Sequence, residues 1–201
     1  ELIENWELFA RREDLHPIIQ TAVLHAQFEM IHPFLDGNGR MGRLLITLFL
    51  ASKKILHTPC LYISAYLQRH RGAYYASLAK ISKNNDWNTW ISFFLRAVVE
   101  HSKANASLLM KMTDLYEISK TQFAEATNSS LAMELLDYLF AQPIFTVPNL
   151  INQTKVKASK ATLLLAVQKL EKAGLVTKIS EGRGRRPTVW KFGALVDLIQ
   201  D

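Results

Sequence analysis

The sequence predicts a mainly α-helical chain that ends in a small α+β unit. Apolar residues Ile19, Ala22, Val23, Ala26 and Met30 recur at helical spacing. No convincing strand pattern occurs before residue 140, and from Phe145 onward both charge and period change.

The chain of 201 residues can bury one good core, or a larger and a smaller one. Its 49% hydrophobic and 21% charged residues fit a folded globular protein and argue against disorder. The longest apolar run, Leu44 to Ala51, is broken by Thr47 and is too short to cross a bilayer. Cys60 is the single cysteine, so no internal disulfide exists. A cytoplasmic, reducing location with no membrane contact is therefore expected; Cys60 is expected to be buried and inert. The first residue is Glu1 and no signal peptide is visible, so the chain reads as a fragment.

The charge is unevenly placed. From Phe145 to Asp201 there are ten Lys or Arg against four Asp or Glu, which accounts for the whole net charge of +6. Such asymmetry suggests two units with different partners.

Residues 16–31 read as an amphipathic helix, with Pro17 in its first turn and His32-Pro33 ending it. Gly37-Asn38-Gly39 reads as a tight loop. A helix from Arg40 to Lys54, apolar nearly all round, is expected to be the central buried one. Helices follow at about 61–82, 87–100 and 102–126, with Asn85-Asp86 as an N-cap region. Trp87, Trp90, Phe93 and Phe94 are spaced for helix packing. In the tail, Leu131–Phe140, Pro148–Asn152 and a stretch capped by Ser159 and stopped by Gly174 read as three helices. Leu175–Ile179 and Thr188–Phe192 read as strands joined by Glu181–Pro187. Three helices followed by a basic hairpin is a winged helix-turn-helix pattern, with a boundary near Asn128-Ser129-Ser130.

The chemistry is concentrated in residues 32–43. Two glycines flank an asparagine and feed directly into a helix. Glycines let backbone N–H groups approach an anion, and a helix N-terminus adds free donors and partial positive charge. Arg40 and Arg43, one turn apart, can point at one polyphosphate. Asp36 is a hard oxygen ligand of the kind Mg²⁺ takes. His32 is the candidate general base, since an imidazole exchanges protons near neutral pH. Singly, each feature is an ordinary helix end, turn or solvated face. Together they point to phosphoryl or nucleotidyl transfer, without saying which phosphorus is attacked. His16, His25, His57 and His101 form no metal spacing and read as structural or surface residues.

This stretch resembles the Fic motif, H-x-F-x-D/E-G-N-G-R-x-x-R, at His32, Phe34, Asp36, Gly37, Asn38, Gly39, Arg40 and Arg43. The likeness continues at Tyr66-Leu67, Arg71, Tyr74-Tyr75, Asp86-Trp87, Trp90 and Phe93-Phe94, and covers about residues 1–100. A winged-helix tail is frequent in bacterial members. The resemblance implies a Fic-type helical catalytic domain with a linker helix over 1–127 and a winged helix-turn-helix domain over 128–201. It implies transfer of AMP from Mg·ATP to a Tyr, Thr or Ser hydroxyl of a protein, which can be the enzyme itself, with pyrophosphate released. His32 would deprotonate the hydroxyl and Asp36 would hold Mg²⁺. Asn38 with the backbone of Gly37 and Gly39 would line the anion hole, Arg40 and Arg43 would bind the outer phosphates, and Tyr74 would contact the base. Phe34 would anchor the loop in the core. The family's β-hairpin flap would precede the first helix, and the chain begins too late to include it. The family's inhibitory pattern, S/T-x-x-x-E-G/N, is incomplete at Thr113…Glu117, Thr121…Glu125 and Ser130…Glu134, and His70 stands where Asn is common.

Two other readings stand beside this one. The same pocket could move phosphate, UMP or phosphocholine. Alternatively the chain is a DNA-binding regulator that senses a nucleotide without turnover. Lys160, Arg183, Arg185 and Arg186 are its candidate phosphate contacts. Leu163-Leu164-Leu165, where a groove-reading helix would be polar, favours a protein contact such as a homodimer face.

Overall fold

The computed structural model describes residues 1–58, 61–153, 158–184 and 186–200. Cys60 and Arg185, for which roles were expected, lie outside the described residues. The chain divides into two compact units, Glu1–Asn105 and Ala106–Asp201.

Unit 1 is all helix: α1 Leu2–Ala10, α2 Pro17–Ile31, α3 Asn38–Ser52, α4 Ser64–Arg69, α5 Arg71–Asn84 and the first part of α6, Trp87–Thr127. The expected central helix was α3, but that place belongs to α2. Met41, Leu44 and Leu48 leave α3 exposed on one side, whereas Gln20, Thr21, Ala22, Leu24, His25, Ala26 and Phe28 of α2 are all buried. Apolar content misleads here because exposed leucines are tolerated, while buried polar groups need only a partner. Several polar groups on α2 have one, although Gln20 Oε1, Gln27 Oε1 and Glu29 Oε1 do not. Gln20 Nε2 donates to the carbonyls of Phe9, Ala10 and Arg12, which caps the end of α1. The Thr21 hydroxyl donates to the Pro17 carbonyl.

Trp90 and Phe94 of α6 are fully buried against α2, with Trp90 Nε1 donating to the Ala22 carbonyl at 2.8 Å. They are core residues, as their spacing suggested. The expected helix over 61–82 starts at Ser64 and breaks at His70, whose ring packs on Tyr66 at 4.3 Å between centroids. Asp86 caps α6 by accepting from the Thr89 N–H. The two helices expected over 87–126 are one, because the polar stretch 101–107 loses the apolar period but holds no Gly or Pro to stop a helix.

Unit 2 has its own core, built from Phe123, Leu135, Leu139, Phe145, Val167 and Trp190 among others. Met112, Leu115 and Tyr116 pack against it, so the later part of α6 belongs with unit 2. The division therefore falls inside α6 rather than near residue 128. α7 (Ala132–Ala141), α8 (Val147–Gln153) and α9 (Lys160–Lys172) match the three expected helices within a residue or two, with Ser159 capping α9 and Gly174 left-handed beyond it. β2 (Thr177–Ser180) and β3 (Val189–Lys191) form the expected hairpin. Three elements were not expected: α1 in unit 1, and in unit 2 β1 (Ile144–Thr146), which completes an antiparallel sheet of order β1-β3-β2, and α10 (Gly193–Gln200). Three residues are too few to show a strand period. Among the described residues no helix is long and apolar enough to cross a membrane.

His25 is one of the deeply buried polar groups of unit 1. Its Nδ1 lies 3.1 Å from the Gly42 carbonyl and its Nε2 3.1 Å from the Tyr74 hydroxyl. A carbonyl only accepts, so Nδ1 carries the proton, and Nε2 accepts from Tyr74. Burial pushes the His25 pKa down to about 4 from an ordinary 6.5. The fold needs the neutral ring, while the unfolded chain takes a proton first as pH falls. Stability should therefore hold above about pH 6.5 and decline toward pH 4, by on the order of 3 kcal/mol. Urea midpoints measured across that range should show the step. A His25→Gln variant, less stable at pH 7, should show less of it.

Candidate active site

The site is the turn between α2 and α3. The residue before a proline is pushed out of the right-handed helical region, so α2 stops at His32, which adopts φ 50°, ψ 57°. Gly37, with φ 85°, then starts α3 in a conformation that only glycine enters freely. Between them the loop is held by Asn38, which is 2% exposed. Its Oδ1 accepts from the Phe34 N–H at 2.9 Å, and its Nδ2 donates to the Phe34 carbonyl. The Asn38 side chain thus holds the loop, with one Nδ2–H left over beside its backbone N–H. Phe34 is 49% exposed and leans on Phe28, so the loop's anchor is Asn38 rather than the phenyl ring.

The side chains left outside this scaffold are the ones with chemistry. His32 is exposed. Its Nδ1 lies 3.4 Å from the Glu29 carbonyl, which can only accept, so Nδ1 holds the proton and Nε2 presents its lone pair outward. Asp36 accepts from the Gly37 N–H at 2.7 Å and meets Arg40 Nη2 at 3.3 Å. Both side chains are largely solvated, at 94% and 77% exposed, so the pair is weak and open to exchange for a ligand. The first-turn N–H groups of α3 have no acceptor within the helix, which leaves a partial positive charge at the loop.

Arg43, one turn further along α3, reaches a different wall. It lines a pocket of about 240 Å³ with Ser64, Gln68, Arg71, Tyr74 and Tyr75. Tyr74 is buried with its hydroxyl on His25, and burial pushes that hydroxyl well above its ordinary range. Tyr75, 55% exposed and with the Arg71 guanidinium 5.6 Å from its ring centre, is the aromatic face still open. A second cavity of the same size, lined by Trp6, Leu24, Phe28, Leu45 and Phe49, carries no cation to meet phosphate.

Of the expected residues, then, His32, Asp36, Gly37, Gly39 and Arg40 share the loop, and Arg43 and Tyr74 share the adjoining pocket. Lys160, Arg183 and Arg186 lie in unit 2 and are exposed. Glu29, Ser64 and Gln68 were not singled out in advance. For Glu29 a signal existed, since it sits three residues before His32 on the same helix. Among the described residues no three His, Cys, Asp or Glu gather as a metal site.

Residues 1–50 match the Fic/DOC family. A probable protein adenylyltransferase of Aquifex aeolicus is 37% identical over 76 residues, covering 35% of this chain and 23% of that protein. The Nematostella vectensis protein adenylyltransferase Fic is 30% identical over 125 residues, covering 62% of this chain and 27% of that protein. The chain thus spans about a quarter of the length of these relatives. A solved structure of a Fic family protein from Desulfovibrio desulfuricans G20 shares the fold, with a TM-score of 0.52 at 22% identity over 96% of this chain and 54% of that one. The match to the Fic/DOC family rests on residues 1–50, and the chain is similar over part of its length to protein adenylyltransferases.

Because both Asn38 bonds are internal to the loop, Asn38→Ala should lower stability by roughly 1–3 kcal/mol. Thermal melting of the variant beside wild type would measure the loss, and an unchanged midpoint would show that the loop holds without it.

Proposed function

We propose that this Fic-type site transfers AMP from Mg·ATP to a Tyr, Thr or Ser hydroxyl of a protein, the chain itself included. The observation that carries the reading is the His32 ring. Its Nδ1 lies 3.4 Å from a backbone carbonyl, and the exposed ring belongs to the loop that leads through Gly37 and Gly39 to Arg40 and Arg43.

Nε2 takes the proton of the target hydroxyl, whose oxygen attacks the α-phosphorus in line. The bond to the bridging oxygen of the β-phosphate breaks, and pyrophosphate leaves with the electron pair. Arg40 and Arg43 meet the charge that grows on it, and the backbone N–H groups of Gly37 to Gly39 face the phosphate oxygens. The pocket beside Arg43, with Tyr75 and Arg71, takes the rest of the nucleotide. Asp36 would hold Mg²⁺, which neutralises phosphate charge when bound. Little covalent work falls to the protein, so positioning supplies most of the rate.

Intact-protein mass spectrometry after incubation with ATP and Mg²⁺ tests this. A gain of one AMP on wild type, absent in His32→Ala, is the expected result. A gain of one phosphate would replace adenylyl transfer with a kinase reaction. No gain together with no ATP binding would remove the catalytic reading.

For unit 2 we propose a winged-helix phosphate-binding role. Lys160, Arg183 and Arg186 are exposed, and none forms an ion pair among the described residues. Arg183 and Arg186 face each other across the hairpin end. The opposing feature is α9, where Leu163 is buried but Leu164 and Leu165 are 38% and 55% exposed. Duplex DNA affinity should fall steeply with salt, and charge-removing changes at Arg183 and Arg186 should reduce the log–log slope by about 2. A salt-independent affinity, or none, would leave α9 as a protein-contact face.

A further inference from the structure

Glu29 stands inside the site, and the reaction above leaves its carboxyl unused. It lies one turn before His32 on α2, and its side chain reaches across the start of α3. Glu29 Oε1 is so close over Gly42 that a Cβ there would stand 2.5 Å away. The same oxygen is 3.9 Å from where a Gly39 Cβ would be, and Arg43 Nη1 is 3.2 Å from that same point. Carboxylate and guanidinium therefore converge over a floor kept flat by two glycines.

The two groups have not closed on each other. Glu29 Oε1 is buried with no hydrogen-bond donor. Arg43 forms no ion pair among the described residues. Burial pushes the Glu29 carboxyl above its ordinary range, while the charges of Arg43 and His32 pull it back. A buried carboxylate oxygen without a donor is costly, and the Arg43 fork stands over the same glycine. A guanidinium has more than one donor edge, so it can bind a carboxylate and a phosphate together.

We propose that Glu29 is the positioning residue for Arg43: its carboxylate takes one edge of the guanidinium and turns the other toward the terminal phosphate of the nucleotide. The inference rests on the nucleotide reading of the site. It gives Gly39 and Gly42 a reason beyond the turn, since a side chain at either would push Glu29 or Arg43 aside. It also makes Glu29 serve the site twice, its carbonyl setting the His32 tautomer and its carboxylate setting Arg43.

The test is calorimetric titration of ATP and of ADP, with Mg²⁺, into the full chain. Wild type is compared with Glu29→Gln, Arg43→Ala and the double variant, with melting temperatures taken alongside. Glu29→Gln keeps the shape and removes the charge. It should weaken ATP roughly five- to tenfold and ADP less than about twofold, with its melting temperature kept. The double variant should bind ATP no worse than Arg43→Ala, because both changes remove one interaction. If Glu29→Gln does not fold, Glu29→Asp is the second probe. It keeps the charge, draws the carboxylate back by one methylene, and should show the same selective loss of ATP. ATP affinity that is unchanged or tighter in the folded variant, or a loss that adds fully to that of Arg43→Ala, would overturn the positioning role and leave the nucleotide site standing. Wild type that binds neither nucleotide, or Arg43→Ala that binds ATP like wild type, would overturn the phosphate clamp and the positioning role with it.

Discussion

A neutral imidazole, fully enclosed, is the point on which unit 1 is assembled. His25 donates from Nδ1 to the Gly42 carbonyl on α3 and accepts at Nε2 from Tyr74 on α5, while its face stacks on Trp90 of α6 at 5.8 Å. Four helices are thus referred to one ring. The bond to Gly42 requires α3 to cross close to α2, and only a glycine leaves room, since a Cβ there would also press on the ring at 3.3 Å. Charging the ring would place a cation away from water with no carboxylate paired to it among the described residues, which is why burial holds it neutral.

That crossing decides what the loop can be. With α2 and α3 fixed side by side, the chain must reverse within residues 32–37, and it does so with left-handed residues at both ends. Asn38 closes the reversal by using both ends of its amide on Phe34. The polar residues of the region then sort by burial. Those enclosed, His25, Asn38 and Tyr74, are spent on structure, because an unpartnered buried polar group is too costly to keep. Those left exposed, His32, Asp36, Arg40 and Tyr75, hold weak or no internal bonds and are free to meet a ligand. Glu29, like Gln20 and Gln27 on the same helix, keeps an enclosed oxygen that no donor reaches, but Glu29 alone of the three has it beside Arg43 over the start of α3.

Unit 2 follows simpler rules. Its sheet is small, and its stability comes from Trp190, Phe192, Phe145 and the leucines of α7 and α9 packing into one core. The charge lies outside that core, on the hairpin end and the start of α9. The surface chemistry is therefore free to vary without disturbing the packing beneath it.

Much of this was legible in order along the chain. Helical period, Pro17, His32-Pro33, Asp86, Ser159 and Gly174 are local signals, and the elements they mark stand where they were expected. The site's cluster was legible too, because His32, Asp36, the two glycines and the arginines lie within one turn and one helix start. What was not legible depends on partners distant in the chain. Whether α2 or α3 is central turns on which polar side chains find buried acceptors. Whether Tyr74 or Tyr75 is open to a ligand turns on where His25 lies, 49 residues away in the chain. Glu29 has no meaning until α3 is laid over it. Short-range geometry is written in neighbouring residues, so the sequence alone determined the helices, the reversing loop and the kind of chemistry it holds. Burial and hydrogen-bond satisfaction are properties of the assembled fold, and only the tertiary structure decided which residues of that loop are scaffold and which remain free to act.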